Sequence, residues 1–367
     1  MRIAIDAREL CGNPTGVGRY LRELISVWST LQTEKHHFIL CAHESIQLPS
    51  NFISKSFEVR VSAGSGIWWE QYKLPKMVKE DRADVLFAPG YSGPLISPVP
   101  VVLAVHDVSF TAHPEWFSLR EGLRRRLTTR VSAQAASRVL TLSKFAKKEI
   151  VDHLGIPPEK IEIIYPGVTK LTKNSQNLEH ITPDPTILFV GSILNRRHVP
   201  ELIAGFANLA NSWPTARLVV VGDNRTYPYI DMEWCRKKTN ISDRIEIHSY
   251  VSENTLRDLY SQAQVFAFLS EYEGFGLTPA EALASGIPIV ILDTPVAREI
   301  YAQAAIYVSK LDTFLIGKAL NQALEDKKER LRVLTTAKTV LERYSWTECA
   351  HRVLEVILEI GQGSEGK

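Results

Sequence analysis

Several things are scarce in this 367-residue chain, and each scarcity excludes a class of protein. It has only four cysteines, Cys11, Cys41, Cys235 and Cys349, at least 30 positions apart and never in a CxxC pair. Such spacing reads as free thiols in a reducing compartment, neither a disulfide framework nor a zinc site. Net charge is almost absent: 43 basic against 41 acidic residues leave +2, which excludes a strongly basic nucleic-acid coat. The longest apolar run, Pro98–Val105, covers eight residues. A membrane-spanning helix needs about 20, so no crossing of a bilayer is expected. Met1–Asp6 reads as a short strand followed by polar residues, with no signal-peptide core. What remains, 45% hydrophobic and 23% charged, is the composition of a soluble globular protein. At ~100–200 residues per domain, the length predicts two domains.

Short β-branched runs alternate with helical patterns along nearly the whole chain. Strands are expected at Arg2–Asp6, Phe38–Ala42, Phe57–Val61, Val85–Ala88, Val101–His106, Val139–Leu142 and Ile161–Tyr165. A second series follows at Thr186–Val190, Leu218–Val221, Ile245–His248, Val265–Leu269 and Ile289–Leu292. Apolar stripes at helical spacing separate them, for example Val17, Tyr20, Leu21, Leu24, Ile25 and Trp28. Repeated alternation of this kind predicts parallel sheets covered by helices on both faces. The fold class is therefore α/β, with an N-terminal domain over residues 1–168 and a C-terminal domain over 186–344. Thr169–Pro185, rich in Lys, Asn, Thr and Pro, is read as the linker. From about Leu311 the chain reads as helical; a helix near 345–361 is a candidate to pack back on the first domain, and the Gly361–Lys367 tail is expected to fray. In doubly wound sheets ligands bind beyond the carboxyl ends of the strands, so chemistry is expected there, in a cleft between the two domains.

The densest motif runs from Ser270 to Gly286, directly after an expected strand. Thr278 suits an N-cap, Pro279 the first helical position and Gly286 the residue after the helix. The turn Gly274-Phe275-Gly276, with Leu277 and Thr278, can present backbone amides to a phosphate or a sugar hydroxyl. Two acidic residues flank it. Glu273 reads as a ligand carboxylate or as an exposed loop residue. Glu281 reads as a ligand group or as the partner of Thr278 in a capping box. A second motif, Ile187–His198, leads from a strand into a helix and places Arg196 and Arg197 at its N-terminus. Two cations there oppose the helix dipole, which suits a bound anion; a solvated surface pair is the alternative. A third, Cys11–Arg22, brings Gly16 and Gly18, which permit close backbone approach or simply turn the chain. In the fourth, His106 ends a strand beside Asp107, a position that is structural or catalytic.

Together these segments resemble glycosyltransferase family 4 along almost the full chain. The E-x7-E pair Glu273/Glu281, set in Glu-Gly-Phe-Gly-Leu-x-Pro-x-Glu-Ala-Leu-Ala-x-Gly-x-Pro, is the most specific feature. The resemblance implies a GT-B fold, two Rossmann-like domains facing across a cleft, and retaining transfer of a hexose from a nucleotide-diphosphate sugar. It implies that Arg196 and Arg197 contact the diphosphate, although the family usually has Arg-Lys then Asn where this chain has Arg196, Arg197 and His198. It further implies that Gly16 borders the donor phosphates and the backbone near Val251 meets the base. Glu281 would bind the ribose, Glu273 the donor sugar, and His106 the transferred hexose, with Asp107 orienting His106 or an acceptor hydroxyl.

The context His-Asp-x-Ser-Phe resembles a branch of mannosyl- and hexosyltransferases of surface polysaccharide assembly. It favours GDP-mannose over UDP-hexoses as donor and a saccharide or lipid-linked glycan as acceptor. No Asp-x-Asp sequence occurs, which agrees with chemistry that needs neither metal nor other cofactor. A glycoside hydrolase with paired carboxylates and a non-catalytic nucleotide-sugar-binding subunit are the alternative readings. The expected compartment is the cytoplasm. Leu119–Val131 adds five arginines around the stripe Leu119, Leu123, Leu127 and Val131. The stripe is expected in the core, leaving the arginines either solvated or in salt-sensitive contact with the anionic inner face of the membrane.

Overall fold

A computed structural model describes residues 1–12, 16–30, 36–46, 48, 52, 56–172 and 183–363. The chain forms two compact units. The first holds Met1–Ala112, Leu119–Gly167 and the C-terminal stretch from Tyr344; the second holds His113–Ser118 and Val168–Arg343.

The first unit is built on a seven-stranded sheet in the order β3-β2-β1-β4-β5-β6-β7. Its strands are β1 (Arg2–Asp6), β2 (His37–Ala42), β3 (Phe57–Val61), β4 (Val85–Ala88), β5 (Val101–Ala104), β6 (Arg138–Thr141) and β7 (Ile161–Ile163). All pairs are parallel, with Ile3 opposite Phe38 on one side of β1 and Val85 on the other. Strands β4 and β5 are wholly buried, as their unbroken apolar runs require when helices cover both faces. The helix Gly16–Thr30 buries Tyr20, Leu21, Leu24, Ile25 and Trp28. Trp28 stacks on Phe38, and its Nε1 donates to the carbonyl of Ala350 at 2.8 Å. That bond ties the C-terminal helix Trp346–Gln362 to the first unit. His106 and Tyr165 were expected as strand ends, but β5 stops at Ala104 and β7 at Ile163.

The second unit has a six-stranded parallel sheet in the order β10-β9-β8-β11-β12-β13. Its strands are β8 (Thr186–Val190), β9 (Arg217–Val221), β10 (Ile245–His248), β11 (Ala263–Phe268), β12 (Ile289–Leu292) and β13 (Ile306–Val308). The three-residue β13 was not read from the sequence. The excursion His113–Ser118 groups with this unit, where the rings of His113 and Trp116 pack on Tyr272. Residues 173–182 of the expected linker and 364–367 of the tail lie outside the described residues. The preceding linker residues dock on the second unit: Leu171 N and Thr172 Oγ1 donate to the Oγ and carbonyl of Ser285.

In each sheet the winding reverses once, between β1 and β4 in the first and between β8 and β11 in the second. Loops leaving two adjacent strands in opposite directions open a crevice at their carboxyl ends, where doubly wound sheets take their ligands.

One expectation fails clearly. The helix Leu119–Ala135 forms, but its leucine stripe is outside: Leu119 is 91% exposed, Leu123 59%, Leu127 52% and Val131 41%. The buried face consists of Gly122, Thr129, Ser132 and Ala133. Small residues let the helix lie close against the sheet, and larger ones at these positions would hold it away.

Candidate functional site

At the switch point of the second sheet, β8 and β11 each feed a loop that ends in a helix. After β11 the chain runs through Leu269–Phe275 to Gly276, which takes the left-handed conformation (φ 94°) and caps the helix Leu277–Ala284. A side chain at Gly276 would be strained by that φ, and its Cβ would lie 2.5 Å from the Tyr301 hydroxyl. That hydroxyl donates to the carbonyl of Gly276 and pins the turn.

The cap therefore sits two residues earlier than expected. Thr278 and Pro279 fall inside the first helical turn, where a missing N–H costs nothing. With Gly276 as N-cap the third helical residue is Pro279, so Thr278 and Glu281 form no capping box. Glu281 lies in the middle of the helix and is 2% exposed. Gly286, with φ 81°, follows the helix as expected.

After β8, Asn195–Arg197 form a single 3-10 turn, His198 is left-handed (φ 48°), and the next helix begins at Val199. The two arginines thus precede the helix rather than open it. The guanidinium of Arg197 is held on three sides. Its Nε donates to Glu273 Oε1 at 2.8 Å, its Nη1 donates to the Ser192 carbonyl at 3.0 Å, and it lies 5.0 Å from the Phe268 ring. The Ser270 hydroxyl donates to the same Glu273 oxygen at 2.9 Å. Glu271 N also donates to the Arg196 carbonyl at 2.9 Å, so the two loops are stitched together. His198, where the family usually has Asn, stands 3.2 Å from Glu271 and 3.7 Å from Glu201, and it holds the Glu201 carboxyl below its ordinary range.

Beside these loops opens a small depression of about 20 Å³, lined by Ser270, Glu273, Phe275, Gly276, Thr294 and Tyr301 among others. A larger groove of about 450 Å³, lined by Ile203, Trp234 and Lys238 among others, carries no carboxylate. At the switch point the structure joins Arg197, Glu273 and Ser270 next to the N-terminus of the helix Leu277–Ala284, a cation and a helix end suited to an anion beside a polyhydroxyl group. Nothing in the sequence signals the roles of Ser270 and Tyr301, whose hydroxyls position Glu273 and Gly276: Ser270 acts within its own loop, three residues away, and Tyr301 from 25 residues away. Val251 lies in the loop after β10, next to the exposed Tyr250.

In the first unit the corresponding loops leave β1, β4 and β5. His106 is buried, and its Nε2 meets the Pro89 carbonyl at 2.7 Å. A carbonyl only accepts, so Nε2 carries the proton and Nδ1 is the acceptor in the neutral ring. Burial pushes the imidazole pKa down, more than the Pro89 bond and Asp107 raise it, which favours that neutral ring. Asp107 accepts from the Tyr91 hydroxyl and from Ser109 N, each at 2.9 Å. It thereby fixes Tyr91, whose φ of 58° turns the loop after β4. Buried Glu70 accepts from Arg8, Ser92 and Gln71, and so ties three segments at this end of the sheet. Gly16 opens its helix, with nothing within 4 Å of where a Cβ would stand, while residues 13–15 of its loop lie outside the described residues.

Known proteins share this fold. WaaG, a glycosyltransferase involved in lipopolysaccharide biosynthesis, superposes with a TM-score of 0.74 over 97% of this chain and 99% of its own, at 17% identity. HepE of Anabaena, solved with UDP and glucose, gives 0.73 over 97% and 98%, at 15% identity. The fold is thus the two-domain GT-B architecture of parallel Rossmann-like sheets. Residues 149–340, just over half the chain, match the family "Glycosyl transferases group 1", and residues 14–170 match "Glycosyltransferase Family 4". The chain belongs to the glycosyl transferases group 1 family. Among curated relatives, the O-antigen chain mannosyltransferase RfbU of Salmonella typhimurium is 27% identical over 57% of either chain. The GDP-mannose:cellobiosyl-diphosphopolyprenol alpha-mannosyltransferase of Xanthomonas oryzae is 26% identical over 53% of this chain and 50% of its own. The match spans between half and six-tenths of the length of these two relatives.

Proposed function

We propose that the protein is a retaining hexosyltransferase that moves a hexose from a nucleotide-diphosphate sugar to an acceptor hydroxyl on a saccharide or lipid-linked glycan. The observation that carries this reading is the Arg197–Glu273–Ser270 cluster at the switch point of the second sheet, next to the Gly276 helix cap. The leaving group is a nucleoside diphosphate, whose negative charge grows in the transition state. Arg196, Arg197 and the helix N-terminus at Leu277–Thr278 meet that charge with fixed cations and dipoles, which need not reorganise as it develops. The reading therefore routes no step through a metal. Glu273, held by Arg197 and Ser270, addresses the donor sugar, and Glu281 the ribose. The first unit receives the acceptor, where neutral His106 offers Nδ1 as an acceptor toward a sugar hydroxyl and Asp107 keeps the Tyr91 loop in place.

GDP-mannose is the favoured donor, in keeping with the mannosyl transfer named for both curated relatives. No helix among the described residues is long and apolar enough to cross a membrane. The proposed place of work is the cytoplasm, peripheral at the anionic inner face of the membrane. A thermal-shift screen against nucleoside diphosphates tests the donor half. Ligand at ~100 times its dissociation constant adds ~2.7 kcal/mol, equivalent to several degrees in Tm for a unit of this size. GDP is expected to give the largest shift. No shift with any nucleoside diphosphate would overturn the reading.

A further inference from the structure

We infer that the helix Leu119–Ala135 lies in the plane of an anionic bilayer and inserts its leucine stripe among the acyl chains, beyond a purely electrostatic contact. The inference deepens the peripheral-membrane reading above and rests on it. At about 100° per residue, Leu119, Leu123, Leu127 and Val131 occupy one arc of about 120°. Arg120 and Arg130 lie within that arc, Arg124 and Arg126 about 20° beyond its two ends, and buried Thr129 and Ser132 on the far side. All four apolar side chains and these four arginines are exposed.

This interleaving points to the occupant. The helix carries five arginines against one carboxylate, Glu121, so a dense anionic surface complements it better than a protein surface of mixed charge. A second copy would bring the same arginines against each other. At a bilayer surface the mixture is favourable: leucines enter the acyl boundary, while guanidinium groups on long stems stay at the phosphates.

Cosedimentation of the full chain with phosphatidylglycerol-rich and with pure phosphatidylcholine vesicles tests the inference, at low salt and at about 0.5 M, where screening shrinks to a few Å. The wild type is expected to pellet with the anionic vesicles and to retain part of that binding in high salt. The triple variant Leu119→Ser/Leu123→Ser/Leu127→Ser should lose on the order of a hundredfold in partitioning at both salts. Its thermal midpoint should stay near that of the wild type. If the triple variant is less stable, Leu119→Ser alone, at the most exposed position of the stripe, should still weaken binding severalfold. Wild-type-like pelleting of the leucine variants, with all binding lost in salt, would overturn insertion and leave an electrostatic peripheral contact standing. No pelleting of the wild type with either vesicle would overturn both. A change from dimer to monomer in the leucine variants, without vesicles, would assign the stripe to self-association instead.

Discussion

Glu273→Ala is expected to lower turnover by about 10²–10³-fold or more, the range typical for removing one preorganised charged group from a reacting centre. Binding of nucleoside diphosphate should survive. In the structure Glu273 Oε1 takes hydrogen bonds from Arg197 Nε and Ser270 Oγ, which fix its direction without using the whole carboxylate. Removing it also takes an anion away from Arg197, so the affinity for a free diphosphate should hold or rise while turnover collapses. That split separates a sugar-binding carboxylate from a structural ion pair, whose loss would lower stability and affinity together. Near-normal turnover in a folded Glu273→Ala protein would refute the assignment.

Replacing Arg196 and Arg197 together by Ala should weaken nucleoside diphosphate binding by several hundredfold or more and leave nucleoside binding nearly unchanged. Hydrogen bonds to charged groups are worth ~1.5–3 kcal/mol each, and each 1.4 kcal/mol is tenfold. Turnover should fall further than affinity, because Arg197 also orients Glu273. Isothermal titration with GDP and guanosine checks the first part. Unchanged GDP affinity in the double variant would remove the arginines from the donor site.

Much of this was legible in the sequence. Strands such as Ile289–Leu292 are short, β-branched and bounded by turns, and six of the thirteen observed strands carry the expected bounds. The three residues of Ile306–Val308 offer too few positions for any period to show. The helix after Gly276 was foreseen, but its start was misplaced because Thr278 and Pro279 make a strong local cap signal. A glycine free to take φ 94°, locked by Tyr301 from 25 residues away, overrode it. The pairing of Arg197 with Glu273 joins residues 76 apart and exists only once β8 and β11 lie side by side.

The stripe Leu119–Val131 shows the opposite failure. Its i, i+4 spacing is what a core-facing helix presents, but the core of this unit accepts only the small residues of the opposite face. Periodicity locates an amphipathic helix without saying which face the rest of the protein covers.

The central claim, retaining transfer from a nucleotide sugar, is tested most directly by following GDP-mannose and UDP-glucose by proton NMR in real time with the intact chain. Water is itself a hydroxyl nucleophile, so turnover of the donor onto water can be read without a known glycan acceptor. The account predicts release of nucleoside diphosphate with the α-anomer of the sugar appearing first, since both donors carry an α-linked sugar, and loss of that release in Glu273→Ala. First appearance of the β-anomer, or cleavage of a simple aryl glycoside with both nucleotide sugars left intact, would contradict it.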